Sequence, residues 1–210
     1  PSYYLAIFVT LFFQALPSGD YSSWRYFLLD FLGHITFTHN LTFEGYVGTK
    51  LGGVLWTLAV EVQFYFIAPL LGRAFAKKPA ITYLGMTAVA FLCRFVYVRG
   101  ISSMTLYFNR LPAMMDVYAN GMLCAYLSVL LKKRLKPNLR TALAACILSL
   151  LAMAGIWLIA KQQATRFETD LIQSGQMLFR FPLSMCGGVI LLCGTQLPRV
   201  FQKLWGNRLT

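Results

Sequence analysis

At 210 residues, 58% hydrophobic and only 12% charged, the chain carries too little polar surface for a soluble fold of its length. Its 19 basic and 7 acidic residues leave a net charge of +12, which admits nucleic-acid binding, membrane-surface binding or the basic loops of a membrane protein. Where those charges fall along the chain excludes the first of the three.

About 20 apolar helical residues cross a bilayer core, so runs of that size are the landmarks. The first run, 3–17, is short. Residues 24–43 differ in kind, because Trp24, Tyr26, Phe27, Leu28, Leu29, Phe31 and Leu32 are mixed with Arg25, Asp30, Gly33, His34 and His39. Such a segment predicts an interfacial or re-entrant helix rather than a full span. Residues 44–53, from Glu44 to Gly53, are polar and Gly-rich and read as a loop. Spans are then predicted at 54–72, 80–98, 107–130, 139–160 and 171–193, each closed by Pro, Gly or a basic cluster. The expected fold class is all-α: a polytopic transmembrane helix bundle with about six spans plus one interfacial or re-entrant helix.

The charges orient these spans. Arg73, Lys77 and Lys78 follow one; Lys132, Lys133, Arg134, Lys136 and Arg140 follow another; Arg199, Lys203 and Arg208 follow the last. These three loops hold eleven of the 19 basic residues and no Asp or Glu. The alternate loops carry Asp20, Asp30 and Glu44 in one case, and Glu168 and Asp170 in another. Basic residues stay cytoplasmic, and the alternation holds only if 24–43 does not cross. Split among loops in this way, they do not form the single stacking-lined face that nucleic acid needs.

Cys93, Cys124, Cys146, Cys186 and Cys193 all lie in apolar runs, without CxxC spacing or a His at zinc-ligand spacing. They read as small buried hydrophobes, and no metal site is expected. With no Met at its start and no natural-looking stop at Trp205-Gly206-Asn207-Arg208-Leu209-Thr210, the chain is expected to be a fragment: one domain, 1–210, truncated at both ends.

A polar residue inside a membrane helix is costly and therefore a functional candidate. The densest group lies in Trp56 to Tyr65, followed by Pro69. Helical spacing puts Thr57, Glu61 and Tyr65 on one stripe, with Trp56, Val60 and Gln63 on the next. A carboxylate there could orient an imidazole, hold a cation, bond a substrate hydroxyl or knot two helices together. Arg110, Asp116 and Asn120 are expected on one helix, with Asp116 near mid-span serving the site or pairing with an Arg. Arg180 lies inside its span, whereas Arg94, near a span end, is expected to snorkel to the interface. His34 and His39 read as structural, since five residues do not make a helical metal pair. Asn40-Leu41-Thr42 fits a glycosylation triplet, and Ser184 with Gly187 and Gly188 fits close helix packing.

The string from Leu55 through Tyr65 to Pro69 resembles the hallmark of the acyltransferase family 3 membrane proteins, Trp-Ser-Leu-Ser-Val-Glu-x-Gln-Phe-Tyr before a Pro. Thr57 and Ala59 replace its two serines and Val62 a frequent Glu, while Trp56, Val60, Glu61, Gln63, Phe64 and Tyr65 stand in place. Pro1 to Tyr4 resembles the segment after that family's basic loop, His39-Asn40-Leu41 its connector, Arg110 to Gly121 its Arg-then-Gly helix, and Trp205-Gly206-Asn207 the approach to a late His segment. The resemblance covers essentially the whole chain.

It implies transfer of an acyl group, often acetyl, from cytoplasmic acyl-CoA to a hydroxyl of a carbohydrate or lipid-linked glycan. Acyl-CoA is then a co-substrate, and no cofactor is bound. The family's proposed base, a His in its first helix, is not in this chain, so the fragment alone is expected to be inactive. Glu61 would be the catalytic residue here, orienting or charging that imidazole. Trp56, Thr57, Gln63, Tyr65, Arg110, Asp116 and Arg180 would contact substrate, the arginines gripping phosphate or carboxylate. The expected setting is a bacterial inner membrane. A transporter of a glycan or small solute, with these residues lining a polar path, and a non-catalytic membrane scaffold are the rival readings.

Overall fold

The computed structural model describes residues 2–19, 21–51, 55–100, 107–134, 138–166 and 172–196. Every regular element among them is helical. In chain order these are α1 (Ser2–Thr10, continued by a π turn over Leu11–Ala15), α2 (Trp24–Ile35), a 3-10 turn (His39–Leu41), α3 (Phe43–Tyr46), α4 (Trp56–Lys77) and α5 (Pro79–Gly100). A second 3-10 turn (Leu111–Met114), α6 (Met115–Arg134), α7 (Leu139–Arg166) and α8 (Ile172–Gln196) complete them. Asp20, Lys136, Glu168, Asp170, Arg199, Lys203, Arg208 and the Trp205-Gly206-Asn207 segment lie outside the described residues.

Four helices among the described residues are long and apolar enough to cross a membrane: Trp56–Lys77, Pro79–Val96, Leu111–Arg134 and Leu139–Gln163. Ser2–Ala15 and Phe179–Thr195 are shorter apolar helices. The six together sit on the six apolar runs of the sequence. Their outward faces carry large exposed hydrophobics such as Phe66, Leu70, Ile81, Leu84 and Leu151. That surface suits lipid and not water, which fits an integral membrane protein.

Helix α2 has 12 residues, a length of about 18 Å against a hydrocarbon core of about 30 Å. It exposes Trp24 and Leu32 on one side and buries Asp30, Gly33 and His34 on the other. Ser23 caps its start by accepting from the Tyr26 N–H at 3.2 Å. The 44–53 segment is not wholly a loop. Thr42 accepts from the Gly45 N–H at 3.2 Å, and that cap nucleates the single turn of α3. Before α7, Asn138 and Thr141 cap each other reciprocally at 2.9 and 2.8 Å.

The chain divides into two compact units. One comprises Pro1–Lys77 and Ala88–Met115, the other Lys78–Thr87 and Asp116–Thr210. In the first, Ile7, Leu11 and Ala15 of α1 form a core with Leu51, packed by Tyr3, Tyr21, Phe27, Phe31 and Leu55. In the second, α7 and α8 pack along their lengths. Small residues set the approaches: a Cβ on Gly155 of α7 would meet Cys186 Sγ of α8 at 3.2 Å, and one on Gly188 of α8 would meet Cys124 Sγ of α6 at 2.5 Å. All five cysteines are free.

Three expectations need correction. Arg110 does not share a helix with Asp116 and Asn120; it is extended (φ −95°, ψ 150°) and precedes the Leu111–Met114 turn. Pro112 sits at the start of that turn, where its missing N–H costs nothing, and regular helix begins only at Met115. Asp116 consequently lies in the first turn of α6 and not at mid-span, where the helix dipole favours a carboxylate. Arg94 does not snorkel. It is buried, and its Nε donates to the Ala113 carbonyl at 2.9 Å, satisfying an acceptor of the short turn.

Candidate functional site

The hallmark helix α4 presents two different faces. Val60 and Ala59 are buried, Gln63 is half-buried, and Trp56 is half-buried with its ring edge-on to Tyr46 (centroids 6.4 Å apart). The stripe of Thr57, Glu61 and Tyr65 is exposed. The inner face meets a buried polar centre that the sequence did not announce.

That centre is built where α2 ends. The Thr38 N–H bonds to the Gly33 carbonyl (2.8 Å) and the Phe37 N–H to the His34 carbonyl (3.3 Å), the paired bonds of a Schellman C-cap. Its left-handed residue is Phe37, with φ +57°, a position usually given to Gly and strained for a side chain. Stacking against Tyr3 (4.6 Å, 23°) holds the ring there. Tyr3 and Tyr4 also donate to the last carbonyls of α2, at His34 and Ile35.

The reversal at Phe37 returns the chain over α2. The rings of His34 and His39 stack with centroids 4.0 Å apart and planes 5° from parallel, and both residues are fully buried. Two glycines permit this. A Cβ on Gly33 would lie 3.1 Å from the His39 Cα, and one on Gly45 would lie 2.9 Å from both its Cα and its carbonyl oxygen.

Asp30, one helical turn before His34, is also fully buried. His34 Nδ1 lies 2.8 Å from the Asp30 main-chain oxygen and 3.2 Å from Oδ1. Both neighbours only accept, so Nδ1 is the protonated nitrogen and the lone pair of a neutral ring sits on Nε2. Thr49 donates to Oδ1 at 2.7 Å, and Tyr21 and the Lys50 N–H donate to Oδ2 at 3.0 and 2.9 Å. Burial pushes the Asp30 carboxyl upward, but the hydrogen bonds from His34, Thr49 and Lys50 outweigh it and hold the group below its ordinary value. For His39, burial first and the neighbouring His34 second push the imidazole down to about 4. Backbone at Leu55 and Gly33 offsets this only in part. Neither ring nitrogen of His39, nor Nε2 of His34, has a hydrogen-bond partner of full geometry.

Asn40, next in sequence, is the junction. Its amide donates to the Asn109 carbonyl at 3.1 Å, and its Oδ1 accepts from Gln63 Nε2 at 2.7 Å. Gln63 Nε2 also donates to the Phe37 carbonyl at 2.8 Å. Asn109 donates to the Tyr46 hydroxyl, and Arg110 Nη2 to the Leu41 carbonyl at 2.7 Å while its guanidinium stacks 4.3 Å over Tyr107. Arg110 Nε is buried without a partner. Being fully buried and engaged in this way, Asn40 is closed to glycosylation.

The first unit thus brings Trp56 and Gln63 of the expected site onto the buried centre, with Arg110 anchored beside it. Thr57, Glu61 and Tyr65 lie on the exposed stripe. Asp116 and Arg180 belong to the second unit. There Asp116 is buried and accepts from the Val117 N–H at 2.9 Å. Asn120 accepts from Tyr83 (2.9 Å) and donates to Ser184 (2.7 Å), tying α6 to α5 and α8. Among the described residues, no three His, Cys, Asp or Glu side chains converge on a metal position. The sequence reading missed the Asp30–His34–His39 cluster; the four-residue spacing of Asp30 and His34 on one helix was the available signal.

The sequence model of a family described as an acyltransferase domain matches residues 1–209. No curated protein and no solved structure matches the chain.

Proposed function

The chain belongs to that acyltransferase domain family, and on this premise we propose that it is a membrane O-acyltransferase. It moves an acyl group, such as acetyl, from acyl-CoA to a hydroxyl of a carbohydrate or lipid-linked glycan, in a bacterial inner membrane. The observation that carries the reading is a family match running over almost the whole chain, with Trp56, Glu61, Gln63, Phe64, Tyr65 and Pro69 of the hallmark in place on an apolar helix.

The acceptor oxygen attacks the thioester carbonyl carbon. A C–O bond forms, the C–S bond breaks, and the hydroxyl proton passes through a base to the departing thiolate, giving ester and free thiol. In this reading Glu61 orients the imidazole base and stabilises its charged form. Thr57 and Tyr65, one turn either side on the exposed stripe, offer hydroxyls to the substrate, while Trp56 and Gln63 fix the helix from behind. Arg110 keeps Nε for an anionic group of donor or acceptor. Asp116 and Arg180 give the second unit a substrate contact of its own. Acyl-CoA is a co-substrate, and no cofactor is required.

The test uses the natural protein in lipid discs, supplied with acetyl-CoA and a glycan acceptor. Thiol release that depends on acceptor, is matched by acetyl ester on the acceptor, and is lost in Glu61→Gln supports the reading. Thiol release unaffected by acceptor, or near wild-type acylation by Glu61→Gln that inserts normally, counts against it.

A further inference from the structure

The proposed transfer makes no use of the most deeply buried polar group in the first unit. His34 and His39 are fully buried, and three of their four ring nitrogens lack a hydrogen-bond partner of full geometry, with backbone at Leu55 and Gly33 only partly serving His39. Each poorly satisfied nitrogen costs free energy that Phe or Leu at the same place would not. Packing alone is a poor reason for the pair.

The stack does impose a limit on charge. With planes 5° from parallel and centroids 4.0 Å apart, the rings cannot hydrogen-bond to each other, because every N–H lies in its own ring plane. No proton bridges them, and two imidazolium charges at this separation repel strongly in a buried site. One positive charge can be balanced by the Asp30 carboxylate beside His34. A second has no counter-charge next to it.

His39 is also joined mechanically to the hallmark helix. Gly33 and Gly45 grip its backbone without slack. The next side chain, Asn40, holds Gln63 of α4 and the carbonyl of Asn109, and the next carbonyl, Leu41, is held by Arg110. Displacing His39 therefore pulls on α4 through a single residue.

We infer that Asp30, His34 and His39 form a latch that positions α4 for acyl transfer, and that a second positive charge on the histidine pair releases it. The link to transfer rests on the acyltransferase reading; the latch itself does not. His39 and His34 act as positioning residues here, through Asn40 and Gln63.

The charged and titratable groups around His39 divide, Asp30 favouring its charge and His34 opposing it. Asp30 and His34 face it from α2. Arg110 brings a further cation to the same turn through Leu41, which opposes a second charge. Glu44 on α3 is half-buried and Glu61 lies on the exposed stripe of α4, while Lys50 contributes only its main-chain N–H to the cluster. Burial and His34 push His39 from 6.5 down to about 4. Because the unfolded chain binds that proton more readily, the latch is fully stable above about pH 6.5 and is lost as pH falls towards about 4.

Three readouts on the natural protein in detergent and in vesicles test this. Histidine NMR is expected to show His39 remaining neutral well below pH 6.5; ordinary titration of His39 would overturn the latch without any variant. The thermal midpoint of the wild type is expected to fall between pH 6.5 and 4, and His39→Phe, which keeps a stacked ring and cannot titrate, to flatten that fall; His34→Phe serves as the second variant. A wild-type slope retained in His39→Phe overturns the latch, whereas His34→Phe, which leaves His39 buried, is expected only to weaken the slope. Transfer rate is expected to hold while His39 stays neutral and to fall towards tenfold per pH unit only below about pH 4 in the wild type, and to change under about twofold in His39→Phe. A latch that titrates while the transfer limb stays unmoved overturns the positioning role. A latch that titrates in a protein with no transfer at any pH contradicts the acyltransferase reading alone.

Discussion

Replacing Gln63 by Leu isolates what the inner face of α4 does. Gln63 Nε2 makes two hydrogen bonds, to the Phe37 carbonyl at 2.8 Å and to Asn40 Oδ1 at 2.7 Å. Each is worth about 1 kcal/mol net, and an acceptor left buried and unpaired costs about 1–3 kcal/mol. Asn40 is fully buried, so its oxygen finds no water to replace the amide. Phe37 lies in the strained left-handed turn and is half-buried, so its carbonyl recovers part of its loss. The expected destabilisation is about 2–4 kcal/mol, measured by reversible SDS-induced unfolding in mixed micelles. Tyr65→Phe, on the exposed stripe of the same helix, is expected to stay within about 0.5 kcal/mol. Combining Gln63→Leu with Asn40→Leu should cost clearly less than the two singles together, since both remove one shared bond. A Gln63→Leu protein within about 0.5 kcal/mol of wild type, or strict additivity, would refute the packing of α4 on the His39–Leu41 turn.

Other perturbations probe separate parts of the account. Glu61→Gln is expected to lower acceptor acylation about a hundredfold or more while leaving membrane insertion and the melting curve unchanged, as read by acyl transfer in reconstituted vesicles. Lowering pH from 6.5 to 4 should remove about 3 kcal/mol of stability through His39, because its folded value lies below its unfolded one. The Asp30 carboxyl is also depressed, but its contribution is lost only below its ordinary value of 3.8, so the two windows separate in an unfolding series. Gly188→Ala should destabilise the second unit by about 1–3 kcal/mol, because its Cβ would lie 2.5 Å from Cys124 Sγ. Pairing it with Cys124→Ala should recover most of that loss in the same assay.

The helices were legible in the sequence wherever one physical demand decided them. A span must be long and apolar, and each of the six apolar runs became an apolar helix. A segment carrying Arg25, Asp30 and His34 cannot meet that demand, and α2 stops at 12 residues. The two stripes of α4 were also legible, because helical spacing alone sets them. Which stripe would be covered was not, since that depends on the neighbours α4 meets.

The buried centre was hidden for a more specific reason. Stacking His39 on His34 requires the chain to reverse at Phe37, and nothing about Phe announces a left-handed conformation. Tyr3, thirty-four residues upstream, makes that turn tolerable by stacking on the ring, with Tyr4 edge-on beside it. Arg94 and Arg110 were misplaced for a related reason. Composition suggests where a guanidinium could reach water, but the carbonyls of Ala113 and Leu41 needed donors and took them.

The most direct test of the central claim follows labelled acetyl from acetyl-CoA in sealed vesicles containing the natural protein and a membrane glycan acceptor. Label appearing in alkali-labile ester on the glycan, and absent with Glu61→Gln, is the result the account predicts. Accumulation of unmodified glycan across the membrane, with no ester formed, would contradict it.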